Sequence, residues 1–284
     1  MENRKKGVIL ILLSALFFAL MAASVKFLAD MPVVELIFFR NLFGLIIATY
    51  IITKRKKPIL GNNKKFLLLR SGFGILGVAC YFYALSQLPL ADTVILNKMS
   101  PFFVVILSSI FLKEKIKKLQ IVSLILAFFG AALVVKPEFD ISVVPYIIAL
   151  LSAFFAGSAY TTIRHLRHTD SSETIVFYFT FISTIAMIPF MLAGQFIIPT
   201  IPQIIGLVSL GLFATTAQFL MTNAYRFAPA GELAIYTYTN IVFSTIIGFV
   251  VWNEFPGVFS VLGGLSIILA GFINYYTNKR KKHK

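Results

Sequence analysis

Ten times along its length, starting near Gly7, the chain alternates an apolar stretch of roughly twenty residues with a short connector, and a run of that length is what a helix needs to cross the hydrocarbon core of a bilayer. The expected spans are Gly7–Leu28, Val33–Ile52, Phe66–Ser86, Asp92–Leu112 and Lys118–Lys136, followed by Ser142–Ile163, Glu173–Ala193, Gln203–Ala224, Glu232–Trp252 and Val258–Thr277. With 58% hydrophobic residues, 13% charged and a mean hydropathy of +0.88, the chain lies far from the soluble average of about 45–50% apolar and about 25% charged. The fold class expected is an all-α integral membrane protein of ten transmembrane helices.

A net charge of +15 raises the possibility of nucleic-acid binding, and the positions of the basic residues argue against it. They cluster at alternate connectors: Arg4-Lys5-Lys6, the run from Lys54 to Lys65, Lys113 to Lys118, Arg164 to Arg167, Arg226, and the tail from Lys279 to Lys284. The intervening connectors, 29–32, 87–91, 137–141, 194–202 and 253–257, carry no Lys or Arg. This is the positive-inside pattern with both termini cytoplasmic; a nucleic-acid surface would not switch on and off with every helix. Residues 1–24 also fit a secretory signal ending at Ala22-Ala23-Ser24, but the second half of the chain carries its own counterpart of that helix. The terminal Lys281-Lys282-His283-Lys284 is read as a basic cytoplasmic tail rather than a retrieval signal. One cysteine, Cys80, excludes an internal disulfide framework.

That counterpart belongs to a repeat. A shift of 140 positions aligns Ala84 with Ala224, Pro89 with Pro229, Ile95 with Ile235, Phe103 with Phe243, Ile106 with Ile246 and Glu114 with Glu254, and sets Asp92 against Glu232. A shift of 138 aligns Ser14-Ala15 with Ser152-Ala153 and Glu35 with Glu173, and sets Lys26 against Arg164. The unit therefore holds five helices, residues 1–137 and then 138–284. An odd number of crossings forces the second copy to enter the membrane in the opposite sense. Inverted repeats of this kind recur in secondary transporters, with the substrate near the midplane at the repeat interface.

The stretch Tyr81-Phe82-Tyr83-Ala84-Leu85-Ser86-Gln87-Leu88-Pro89-Leu90-Ala91-Asp92, with Ser100-Pro101-Phe102-Phe103 and Phe111-Leu112-Lys113-Glu114-Lys115 after it, resembles the EamA-type drug/metabolite transporter superfamily. The echo runs from Asn223-Ala224-Tyr225 through Pro229 to Asn253-Glu254. The resemblance implies two inverted five-helix repeats around a cavity lined mainly by the first, third and fourth helix of each half, with the fifth and tenth helices peripheral. The second copy departs from the motif, with Ile241 in place of Pro101 and Asn253 in place of Lys113, so the cavity need not be symmetric.

Buried charge carries the expectation about cargo. A cation at the bilayer centre costs about 2.5–3.5 kcal/mol on insertion scales, and such residues usually face a bundle interior or a water-filled cavity. Lys98 lies about six residues, roughly 9 Å, into the fourth helix. Pro101 should kink that helix beside it. Two readings compete: a cationic site for a carboxylate or phosphate, and a structural lysine paired with a carbonyl or an acid. Arg40 lies about seven residues into the second helix from the same side. Its spacing of five from Glu35 is poor for a pair on one helix, which leaves Glu35 for a partner elsewhere. Arg70 and Lys26 lie near helix ends, where snorkelling suffices. Asn97, Tyr81, Gln218, Tyr236, Tyr238 and Asn240 are the candidate hydrogen-bonding and aromatic partners around Lys98, and Tyr238 is its counterpart at shift 140. The competing reading for each tyrosine is a core or interfacial position. Asp92 and Glu232 are expected to complement helix starts, and Glu114 and Glu254 to serve the start of the helix that follows. Gly72, Gly74, Gly77, Gly263 and Gly264 read as packing surfaces.

No enzymatic constellation is present. His165 and His168 sit among arginines without acidic or cysteine partners for a metal, no Walker lysine motif occurs, and no cofactor is expected. The expected function is a secondary transporter or exchanger for a small anionic or zwitterionic metabolite, such as an amino acid or nucleotide-like compound. Multidrug or cation efflux is the alternative within transport, and a non-transporting receptor or scaffold the alternative outside it. The expected partners are a small-molecule substrate and membrane lipid, without nucleic acid; a homodimer is left open.

Overall fold

The computed structural model describes residues 2–56, 58–111, 113, 116–135, 143–166, 169–227 and 233–279. Among them, ten helical segments are long and apolar enough to cross a membrane, and they fall on the ten expected runs. In chain order the helices are α1 (Glu2–Phe27), α2 (Val33–Lys54), α3 (Lys64–Gln87), α4 (Leu90–Asn97), α5 (Ser100–Phe111), α6 (Lys118–Val135), α7 (Val144–Leu166), α8 (Ser172–Leu192) and α9 (Ile201–Phe227). A 3₁₀ turn (Ala234–Tyr238), α10 (Thr239–Trp252) and α11 (Val258–Lys279) complete the chain. In hydrocarbon the backbone has no water to bond, so a lone apolar run satisfies its N–H and C=O groups only as a helix. Ends are set locally. The Asn63 side chain accepts from the Phe66 N–H and Ser171 from the Thr174 N–H, while Pro32 and Pro89 stand just before α2 and α4, where their missing N–H is harmless.

Ten crossings bring both chain ends to one face, called here the terminal face; the other is the distal face. Helix α1 packs chiefly on α9, and α7 on α3; α1 also meets α10, and α7 meets α5. Since the repeat relates α1 to α7, α3 to α9 and the fourth span to the ninth, each contact has its counterpart, as two inverted repeats require. The pairs α2 with α8 and α6 with α11 join equivalent helices of the two halves. Glycines allow the closest approaches: a Cβ on Gly130 would lie 2.7 Å from the Gly263 carbonyl oxygen, one on Gly77 3.3 Å from the Ala156 nitrogen, and one on Gly157 3.0 Å from the Ser100 carbonyl oxygen. Gly72, expected to pack, meets nothing within 4 Å.

The fourth and ninth spans end alike. Lys113 and Asn253 both adopt left-handed φ, 55° and 54°, so the residue change between the two copies leaves the conformation unchanged. Asn tolerates this region better than Lys. The amides of Asn253 and Glu254 then turn back onto the carbonyls of Phe249 and Gly248.

The apolar core is unevenly shared. One cluster joins both repeats through the distal half, taking in Leu28, Leu36, Leu85, Leu88, Leu90, Val94, Met187, Leu207 and Leu210. Toward the terminal face two further clusters stand apart: Ile11, Ala224 and Leu233 on one side, and Leu67, Leu166 and Ile175 on the other. At that face the connector before α3 is docked on the one before α8. Asp170 accepts from the amides of Asn62 and Asn63 at 2.6 and 3.2 Å, Thr174 donates to the Pro58 carbonyl at 2.8 Å, and Arg55 pairs with Glu173.

Candidate functional site

Both spans expected to line the site leave α-helical geometry at equivalent positions: the fourth is interrupted, and the ninth tightens to a 3₁₀ turn that runs directly into α-helix. In the fourth, α4 stops at Asn97, Lys98 caps it, and α5 starts at Ser100. The Met99 amide bonds back to Leu96 and the Phe102 amide to Met99, each closing a three-residue turn. Pro101 lacks the N–H that would bond the Asn97 carbonyl in a continuous helix, so the expected kink is a break. In the ninth span the 3₁₀ turn ends at Tyr238, the residue that pairs with Lys98 at shift 140. No proline stands there; instead the Thr239 hydroxyl donates to the Tyr236 carbonyl at 2.6 Å, the kind of local bond that competes with the helix ladder. Broken helices near the midplane, with half-helix ends turned toward a cavity, are the usual construction of a transporter binding site.

Lys98 therefore sits between a helix carboxyl end, which favours its charge, and the amino end of α5. Its side chain is half-buried, and among the described residues no carboxylate or carbonyl lies within hydrogen-bonding range of Nζ. Lys26, near the end of the first span, is partnered. Lys26 pairs with Glu254, donates to the Leu88 carbonyl at 2.8 Å and lies 5.6 Å from the Trp252 ring centroid. Glu254 also accepts from the Leu90 amide at 3.0 Å, so it caps the fourth span and not, as expected, the helix that follows it. Its counterpart Glu114, together with Glu232 and His168, lies outside the described residues.

Asn97, next to Lys98, donates to the Ser152 hydroxyl of α7 at 3.0 Å. Asn240 is buried and donates to the Ala15 carbonyl of α1 at 2.9 Å, and Ser14 ties α1 to the Ala217 carbonyl of α9 at 2.7 Å. These bonds tie each irregular span to the first helix of a repeat. Gln218 is half-buried on α9, beside Ala217. Tyr81 packs on the edge of the shared core and Tyr236 on the Ile11–Ala224–Leu233 cluster. Tyr238 turns toward α11: a Cβ on Gly271 would lie 2.7 Å from its Cε2, so this ring fills the interface with the tenth span. Asp92 is buried in the first turn of α4 with the Tyr146 hydroxyl 3.4 Å away. His165 stacks on Phe66, ring centroids 4.4 Å apart, and no His, Cys, Asp or Glu cluster suited to a metal occurs among the described residues.

Arg40 is not paired with Glu35. It donates to the side-chain Oδ1 of Asn41 at 2.9 Å and faces the Phe179 ring. Glu35 is fully buried and accepts from the Ile197 amide at 3.2 Å in the connector after α8. Arg70, read from sequence as a snorkelling residue, turns inward onto the same Phe179 ring, 3.9 Å from its centroid. The signal that could have exposed it is Gly74, one turn along α3: a Cβ there would stand 2.7 Å from Phe179 and 3.2 Å from the Arg70 guanidinium.

Comparison with known proteins agrees with this architecture. The model of the EamA-like transporter family matches residues 5–136 and again 144–276. The pseudopaline exporter CntI of Pseudomonas aeruginosa is 35% identical over 269 residues, covering 94% of each chain. An S-adenosylmethionine uptake transporter of Rickettsia bellii is 26% identical, covering 88% of this chain and 86% of its own. A solved crystal structure superposes with a TM-score of 0.67 at 16% identity over 98% of both chains, a likeness of fold. Two matches of the family model in one chain, irregular spans at equivalent positions and helix contacts that come in related pairs have one explanation: this chain belongs to the EamA-like transporter family, and it is an integral membrane transporter rather than an enzyme.

Proposed function

We propose that the protein is a secondary transporter or exchanger that moves a small anionic or zwitterionic metabolite across the cytoplasmic membrane by alternating access, with the terminal face cytoplasmic. Lys98 carries this reading: it stands half-buried at the break of the fourth span with no acidic partner among the described residues, whereas Lys26 and Arg55, at span ends, each have one. An uncompensated ammonium in hydrocarbon is unfavourable by about 2.5–3.5 kcal/mol, and an anionic group of the cargo offsets that. Asn97, Tyr81 and Gln218 stand on the helices around it, and Arg40, on α2 and apart from Lys98, supplies a second cation for the cargo. The moving units are the two five-helix repeats, residues 1–137 and 138–284. Separation of the terminal-face core into two clusters supports a state in which the site is reached from that face, and the alternation of basic connectors supports a cytoplasmic terminal face. The relatives' names support a small-metabolite cargo; one is an exporter and the other an uptake protein, so direction is not common to them.

The test is thermal stabilisation of the purified protein by a panel of anionic, zwitterionic and cationic metabolites, in wild type and Lys98→Ala. Stabilisation by one anionic or zwitterionic class, lost in the variant, is the expected outcome. Stabilisation by cations alone, or a response the variant keeps in full, overturns the lysine site and favours cation efflux.

A further inference from the structure

Lys98 is not alone in lacking an acid. Arg40 of α2 and Arg70 of α3 meet on the Phe179 ring of α8, with guanidinium carbons 5.9 and 3.9 Å from its centroid. Nε of Arg40 and both Nε and Nη1 of Arg70 are shielded from solvent and bond no acceptor. The carboxylate nearest to Arg40 in sequence, Glu35, has turned to the Ile197 amide. The two guanidinium groups thus stand on one ring, like charge beside like charge. Both arginines are half-buried, so the pair is not sealed in the core.

An arginine cannot shed its proton to relieve this arrangement. An aromatic face attracts a cation through its quadrupole but leaves the N–H donors at the guanidinium edge unused. Two like charges with free donors, fixed on separate helices around one ring, lack only a counter-anion. Guanidinium groups recognise carboxylate and phosphate through paired N–H···O bonds.

We infer that Arg40 and Arg70 form a second anion station that takes a compact dianionic group of the cargo, a phosphate monoester or a pair of neighbouring carboxylates. This rests on the transport reading above and narrows its substrate class. The station lies apart from Lys98. Gly77 of α3 packs on Phe155 and Ala156 of α7, beside the Gly157–Ser100 contact at the fourth-span break. Arg70 is seven residues nearer the terminal face along α3, about 10 Å at 1.5 Å per residue. A molecule that touches both stations carries negative charge at two separated places, so the preferred cargo is an extended polyanion and not a simple monocarboxylate.

The probes are inorganic phosphate, at a pH where it is dianionic, malonate and acetate, at matched ionic strength, read as thermal stabilisation of the purified full-length protein. Phosphate and malonate are expected to stabilise the wild type more than acetate. Half-maximal stabilisation by phosphate should need about tenfold more ligand in Arg70→Lys, which keeps the charge but loses the paired donors, and the response should vanish in Arg40→Gln and Arg70→Gln. Arg70→Lys, which keeps the charge, carries the test if a glutamine variant does not fold. Equal responses to the three probes in wild type, or a phosphate response unchanged in Arg70→Lys, overturns the station. Lys98→Ala separates the two readings: a phosphate response that persists there but fails in the arginine variants upholds this station even if the Lys98 site falls.

Discussion

Lys26 and Lys98 are both lysines on apolar helices, and their surroundings are opposite. Lys26 has a carboxylate, a carbonyl and an indole face, with side chains of the ion pair only 12% and 24% exposed. Removing one member of such a pair strands the other. Lys26→Ala is therefore expected to lower stability in detergent by on the order of 1–3 kcal/mol, read as a fall in melting temperature, and Lys26→Ala/Glu254→Ala to cost less than the two single changes added together. Equal and additive losses would deny the pair any coupling. Lys98→Ala, by contrast, should leave unliganded stability unchanged or raise it, since no contact of Nζ among the described residues is lost. Sequence position alone separated these two lysines, because depth along a helix is read directly from residue count. It missorted Arg70, whose place near the start of α3 suggests snorkelling. The guanidinium turned inward because Gly74 leaves room for it and Phe179 offers a face, and the identity of that facing ring is a tertiary fact no local pattern encodes.

The irregular spans carry the same lesson one level up. Pro101 made the break in the fourth span legible, although as a kink. The ninth has Ile241 at that place and gave no comparable sign, yet its helix begins only after a 3₁₀ turn that ends at Tyr238. Its cause is the run Tyr236-Thr237-Tyr238-Thr239: four residues of low helix propensity, one with a hydroxyl bonded to the carbonyl three residues back. Pro101→Ala restores a donor for the Asn97 carbonyl and so favours a continuous fourth helix. The expected result is a melting temperature equal to or above wild type together with loss of the anion response that depends on Lys98, because the lysine is then carried round with the ladder. A variant that keeps full ligand stabilisation would show that the break itself is dispensable. Ten spans and their repeat were readable because hydrophobic period and length are local properties; the partner of each helix was not.

At the scale of the molecule, the two faces are closed to different degrees, and one ion pair sits on the closed one. The shared core fills the distal half, and there Lys26 on α1, the Leu90 amide opening α4 and Glu254 after α10 are joined through a single carboxylate. Among the described residues, the terminal face has no core cluster common to the two that flank it. Alternating access, as proposed, requires the distal ends of α1, α4 and α10 to separate, and this carboxylate holds all three. An ion pair contributing about 1–3 kcal/mol biases a two-state equilibrium by roughly 5- to 150-fold, enough to hide the opposite state without forbidding it. With Cys80→Ala to remove the native thiol, Lys98→Cys should react with a membrane-impermeant thiol reagent added at the terminal face and scarcely at all from the distal side. Adding Glu254→Gln removes the charge but keeps the side chain's shape and an acceptor for the Leu90 amide, so the fold is retained while the latch weakens. Reactivity from the distal side should then rise several-fold, and reactivity from the terminal side should fall by the population that has moved. Were distal labelling unchanged, the Lys26–Glu254 pair would be a brace of the folded bundle with no part in its gating, and closure of the distal face would rest on the apolar core alone.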